Sequence, residues 1–159
     1  MFFGMDDITH HITGLGSRTA NKRIEAATAL GKLKNPATAG PLGTALCDKS
    51  TPVRLAVVLA LGKLEDSASV PFLIRALDDS DASIRAAAIS GLGRIRDPAA
   101  AVPLIMCLQD QNLEVRIGAA MVLGRLGDHR ALGPLQALQN DPFSDVRDAA
   151  VAAMIRLKR

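Results

Sequence analysis

The stretch Arg85-Ala86-Ala87-Ala88-Ile89-Ser90-Gly91-Leu92-Gly93 decides how this chain reads, because its pattern returns along almost the whole sequence. Arginine stands at 23, 54, 85, 116 and 147, a constant interval of 31 residues, and five such units fill nearly all of the 159-residue chain. Eight residues after the first four arginines comes a glycine, at Gly31, Gly62, Gly93 and Gly124. Six residues before the last four comes an aspartate, at Asp48, Asp79, Asp110 and Asp141. Ser17 takes the aspartate place in the first unit, and Ile155 takes the glycine place in the last. A period of about 20 to 50 residues marks a solenoid, in which each unit buries its apolar face only against its neighbours. The expectation is one domain over residues 1–159, with units near 5–34, 35–65, 66–96, 97–127 and 128–158.

Within each unit the apolar residues follow helical spacing. Counting from each arginine, they recur at offsets 3, 4, 7 and 10, as in Val57, Val58, Leu61 and Leu64 or Ala88, Ile89, Leu92 and Ile95. At about 100° per residue these fall on one stripe, which predicts an amphipathic helix B. A shorter set spaced by four, Leu42 and Leu46, Leu73 and Leu77, Leu104 and Leu108, predicts a helix A before it. Asn35-Pro36 and Asp97-Pro98 pair a capping side chain with a proline at the first helical position, and Asp66 and Asp128 hold the same place. Thr51-Pro52, Asp81 and Asn112 offer comparable caps to the B helices. Two helices of about 10 to 14 residues with short loops therefore fill each unit. The fold class is all-α.

Composition narrows the function. Hydrophobic residues make up 48% of the chain, enough for a continuous core. The longest apolar run, Leu55 to Leu61, is far short of the roughly 20 residues of a membrane span. The start carries no basic, apolar leader pattern. Cys47 and Cys107 lie two units apart at different offsets, so free thiols and a reducing, cytoplasmic setting are expected. The formal charge is +3, and removing the recurring arginines and aspartates leaves 14 cations against 12 acids. That is a weak electrostatic case for nucleic acid. With no Trp or Tyr and four Phe, there is no aromatic row for base stacking either.

The Asp-x5-Arg pattern with Val or Ile before the arginine, followed by Leu-Gly, resembles the HEAT repeat. Asp48 with Val53-Arg54 and Leu61-Gly62, Asp79 with Ile84-Arg85 and Leu92-Gly93, and Asp110 with Val115-Arg116 and Leu123-Gly124 carry the likeness. It is most similar to the short subfamily named for phycobilisome lyases. The resemblance implies a right-handed α-α superhelix of about five 31-residue helix pairs, with B helices on the concave side. It also implies a ladder of Asp48, Asp79, Asp110 and Asp141 with Arg54, Arg85, Arg116 and Arg147 joining the units. Arg23 has no aspartate of its own, which leaves the first rung open.

Offsets 2, 5 and 9 of helix B point away from the apolar stripe, at about 200°, 140° and 180°. Offset 9 is always a cation: Lys32, Lys63, Arg94, Arg125 and Arg156. Offset 5 includes Leu59, Ser90 and Met121, and offset 2 is mostly small. The expected groove, floored by small and apolar residues and rimmed by cations, suits an acidic or amphipathic protein segment. The bland account of the same cations is stabilisation of each helix's last turn. No zinc-ligand spacing, phosphate loop or nucleophile elbow occurs, and the three histidines lie at opposite ends of the chain. No catalytic or metal site is therefore expected, and enzymatic activity is not the leading reading. That reading is a protein-interaction scaffold without a cofactor. The alternative, implied by the resemblance alone, is a bilin lyase subunit or phycobiliprotein chaperone, with bilin as its ligand; a third is contact with nucleic-acid phosphates. The last helix, with no further unit to cover it, is a candidate surface for self-association.

Overall fold

The computed structural model describes residues 3–158. Its helices are α1 (Phe3–Gly14), α2 (Ala20–Leu33), α3 (Ala39–Thr44), α4 (Thr51–Leu64), α5 (Val70–Ala76), α6 (Ala82–Ile95), α7 (Ala101–Cys107), α8 (Leu113–Leu126), α9 (Leu132–Ala137) and α10 (Ser144–Leu157). Odd-numbered helices are the A elements and even-numbered ones the B helices, and no strand occurs among the described residues. The chain is an α-solenoid. Each B helix packs on the next, α2 on α4, α4 on α6, α6 on α8 and α8 on α10. The core lies between the two layers, where Leu42, Leu73, Leu104 and Leu135 of the A elements and Leu30, Leu61, Leu92 and Leu123 of the B helices are fully buried.

All five B helices are 14 residues long, as the spacing predicts. The A elements of the second to fifth units are not single helices of 10 to 14 residues. Each opens in a three-residue 3-10 turn, as at Pro36–Thr38, and continues as an α-helix of six or seven residues. Pro41, Pro71, Pro103 and Pro134 explain the change of winding. A proline has no N–H and is tolerated only in a helix's first turn, so the α part begins just before each one. Asn35, Asp66, Asp97 and Asp128 each accept from the backbone N–H two residues on, as the A-element caps. Asp81 and Asn112 cap B helices in the same way. Thr51 does not: it is already helical, and the capping position belongs to Ser50, whose side chain makes no capping bond.

The first four B helices end in the left-handed region, at Lys34 (φ 48°), Glu65 (φ 52°), Arg96 (φ 58°) and Gly127 (φ 76°), whereas α10 ends right-handed at Lys158. Only Gly127 is the residue that the left-handed conformation favours.

The recurring glycines set the spacing of the B layer. A methyl added at Gly31 would lie 2.7 Å from Ala60 Cα, and one at Gly124 would lie 2.8 Å from Ala153 Cα. At Gly62 it would meet the Arg94 guanidinium and Gly91 Cα, and at Gly93 the Val122 side chain. Close approach of successive B helices therefore accounts for these glycines. The A elements meet this closely at Gly43, where an added methyl would run into the Phe72 ring, and elsewhere leave clefts between them, one of about 640 Å³ edged by Ile12, Leu15, Pro41 and Cys47 and another by Ile74, Pro103 and Met106. A tight B layer beside a looser A layer curves the array towards the B side.

Gly31→Ala is expected to lower stability by about 1 to 3 kcal/mol in chemical denaturation, because α2 and α4 must separate, although alanine is better by about 1 kcal/mol in an unhindered helix. Ser69 is fully buried, and its hydroxyl has no partner. The fourth and fifth units carry Ala100 and Ala131 at that place. Ser69→Ala should therefore raise stability by about 1 kcal/mol in the same assay.

Candidate functional site

The arginine series joins the units, with a pairing that runs forward along the chain. Arg23 donates through Nε and Nη2 to both carboxylate oxygens of Asp48, at 2.6 and 3.0 Å. Arg54 does the same to Asp79, Arg85 to Asp110 and Arg116 to Asp141. The remaining nitrogen, Nη1, donates to the backbone carbonyl six residues back, at Ser17, Asp48, Asp79, Asp110 and Asp141 in turn. One guanidinium thus ties its own A–B turn to the turn of the following unit. This settles the first rung of the ladder and corrects the last. Arg23 has its rung, because the first unit supplies only a carbonyl and Ser17 serves. Arg147 keeps its bonds to the Asp141 and Pro142 carbonyls but makes no ion pair with a carboxylate among the described residues.

Each ladder aspartate also accepts from the N–H two residues on, at Ser50, Asp81, Asn112 and Phe143. The arginine side chain is the main influence holding Asp48 and Asp79 below the usual carboxylate range. For Asp110 and Asp141 burial is the largest single influence and pushes upward, yet the arginine bond, the backbone N–H and the neighbouring charges together outweigh it. The paired side chains retain only 7 to 15% exposure. These residues therefore lie beneath the candidate face and are not part of it.

The face lies on the exposed side of the B helices. Lys32, Lys63, Arg125 and Arg156 project from the last turns into solvent. Arg94 differs, since its Nε donates to the Gly62 carbonyl at 3.2 Å and its guanidinium covers the α4 backbone. The cation row thus keeps an exposed charge in every unit, with its central member leaning towards α4. Leu59 and Met121 are 44% and 41% exposed on this face, and Ser90 lies exposed between them. Leu59 and Lys63 border a cleft of about 320 Å³ between α2 and α4, shared with Ile24, Thr28, Pro52 and Leu55. Ile24, Leu55 and Pro52, at offsets 1 and −2, were outside the sequence-based set. Offset −2 falls at about 160° on the same helical wheel, so the signal for Pro52 was present.

Other candidates stay apart from this face. The His10 and His11 rings meet edge-on with centroids 5.3 Å apart at the far end of the array. Among the described residues no group of three or more His, Cys, Asp or Glu could hold a metal ion. Cys47 and Cys107 are free thiols, and burial pushes Cys107 up to about 11, out of the reactive range. No helix among the described residues is long and apolar enough to cross a membrane. On the end face of α10, Val151 and Ile155 are 40% and 52% exposed.

A family profile for HEAT repeats matches residues 9–92 and 70–155. The chain belongs to the HEAT-repeat family. The complex of CpcE and CpcF of phycocyanin lyase from Nostoc sp. PCC7120 is similar to it, with a TM-score of 0.78 and 31% identity over 92% of this chain and 63% of that one. This chain thus spans less than two thirds of that relative's length. The identity accords with the likeness of its repeats to the phycobilisome-lyase subfamily. A designed armadillo repeat protein in complex with the peptide (KR)4 shares the fold, with a TM-score of 0.72 and 20% identity over 92% of this chain and 80% of that one. Human deoxyhypusine hydroxylase shares it as well, at 0.67 and 21% over 95% and 73%. No curated protein sequence matches the chain significantly.

The two ends of the ladder provide its test. Arg85→Ala strands Asp110 and should cost about 3 kcal/mol, whereas Arg147→Ala, which strands no carboxylate, should cost under about 1 kcal/mol. The folded-state pKa of Asp110 is depressed, so its contribution is fully present above the unfolded value near about 4 and is lost as pH falls through the folded value. Urea denaturation of the two variants at pH 7 should show the gap, and it should shrink as the pH is lowered below about 4. Equal losses at pH 7 would contradict the forward pairing.

Proposed function

We propose that this chain is a non-catalytic protein-interaction scaffold that holds an acidic or amphipathic segment of another protein on its concave B-helix face. One observation carries the reading: solvent-exposed Leu59 and Met121, with an apolar cleft at the first of them, stand beside the exposed cations Lys32, Lys63 and Arg125 on an otherwise rigid array. Apolar contact provides affinity and the cationic rim selects the charge of the partner. The similar structures include one complex of two lyase polypeptides and one complex with a basic peptide. The cationic rim here favours the opposite charge to that peptide.

A second reading rests on the 31% identity to the phycocyanin lyase structure: the chain serves as a bilin lyase subunit or as a chaperone for phycobiliproteins. In that case the same face holds the apoprotein, and bilin is the ligand handled by the assembly.

Affinity capture from the source lysate, comparing wild type with a Lys32→Glu, Lys63→Glu, Arg125→Glu triple variant, tests the first reading. A bound protein retained by wild type and reduced at least about tenfold with the variant, a loss of about 1.4 kcal/mol, is the expected outcome. An identical catch from both would remove the function from this face. Adding a phycobiliprotein apoprotein and bilin, with the visible absorbance as readout, separates the second reading, which requires an absorbance shift that depends on this chain.

A further inference from the structure

We infer that the segment held on this face is extended and carries two apolar anchors five or six residues apart. The inference rests on the scaffold reading and specifies its partner. The first anchor site is the cleft beside Leu59, and the second is the exposed Met121, with half-buried Ile117 next to it, two units further on. Between them the B face of α6 presents Ser83, Ala86, Ala87 and Ser90, with exposed Arg94 at its rim leaning onto α4. The result is a low saddle between two apolar sites. Successive packed helices stand about 8 to 10 Å apart, so the two sites are separated by about 16 to 20 Å. An extended chain covers that in five or six residues at about 3.3 Å each. A helix would need about 11 to 13 at about 1.5 Å each, and with a diameter of about 10 to 12 Å it would ride above the saddle instead of entering it.

Charge fixes which flank of the segment is acidic. Lys63 and Arg125 lie along the rim formed by the ends of the B helices, while the opposite rim carries exposed Glu114 and Asp145. Acidic residues of the partner therefore belong on the lysine and arginine side, and neutral ones opposite. Exposed Asp148 repels an acidic segment at the last unit, and exposed Glu25 leaves only the Lys32 end of α2 open to it.

Fluorescence anisotropy with labelled synthetic peptides of one acidic composition tests this, the two leucines being placed two, five, six or eleven residues apart. The peptides with spacings of five and six should bind wild type at least about tenfold more tightly than the other two. Ser90→Trp, which fills the saddle at an exposed position, should remove that advantage while leaving a single-leucine peptide unaffected. Leu59→Asp should weaken the two-anchor peptides to the single-leucine level, with circular dichroism confirming an unchanged helix content. Equal affinity at all spacings, or a preference for eleven, overturns the two-anchor inference and leaves the scaffold reading standing. Failure of every peptide to bind, together with an identical lysate catch from wild type and the triple variant, overturns both.

Discussion

The structure depends on a guanidinium shared between two turns. An arginine offers five N–H donors in a rigid fork, and here one edge meets the next unit's carboxylate while the remaining nitrogen meets its own turn's carbonyls. A lysine ammonium, a compact point charge on a flexible stem, cannot satisfy both directions with fixed geometry. The carboxylate in turn accepts from the N–H at the start of its own B helix, so every rung aligns the turn before one B helix with the turn before the next. With about nine tenths of these side chains out of water, neither partner is readily replaced singly. Phe143 adds a ring 5.8 Å from the Arg116 guanidinium at the last rung.

Orientation alone does not produce a groove; unequal layer spacing does. Gly31 and Gly124 allow the following B helix to approach to backbone contact, while the A elements, interrupted by prolines and opened by 3-10 turns, stand further apart. Curvature follows from that difference, and it turns the B helices' outward positions to the inner side. At Ile155 the space that admits the next B helix elsewhere is occupied by a side chain. A helix packed on α10 must stand further off than α10 stands from α8.

Much of this was legible because a repeat states each requirement several times. The 31-residue interval, the apolar offsets and the Asn35, Asp66, Asp97 and Asp128 caps lead directly to helix pairs. The direction of the ladder was harder to read, since an aspartate six residues before an arginine and another 25 after it are both close in space. The sequence did hold a clue in Ser17, where an aspartate is absent although Arg23 is kept. The leucine spacing of helix A alone predicts a continuous helix, and Pro41, Pro71, Pro103 and Pro134 are the residues that break it into a 3-10 turn and an α part. Left-handed termini at Lys34, Glu65 and Arg96 leave no mark in residue type, because packing of the following turn outweighs the local cost. On the binding face, the rim cations and Leu59, Ser90 and Met121 were readable from the helical wheel. Arg94's return to the Gly62 carbonyl was not, since it depends on the position of a neighbouring helix.

The positions divide by task, and the division explains how a uniform array can carry a specific face. Offsets 3, 4 and 7 fill the core, offset 0 and the aspartate six before it make the rungs, and offset 8 sets the helix spacing. Offsets 1 and 2 rest partly against the core, as at Ile24, Leu55, Ala56, Ala86 and Ala87, whereas offsets −2, 5 and 9 are mostly exposed and carry little packing. Substitution there changes surface chemistry with little effect on stability, since exposed positions away from caps and packing change stability by only about half a kcal/mol. The irregular series at offset 5, Thr28, Leu59, Ser90, Met121 and Ala152, is therefore free of the constraint that makes the other series regular. Exposed leucine and methionine at two of those places contribute little to the fold, and they make offset 5 the apolar part of the B-helix surface.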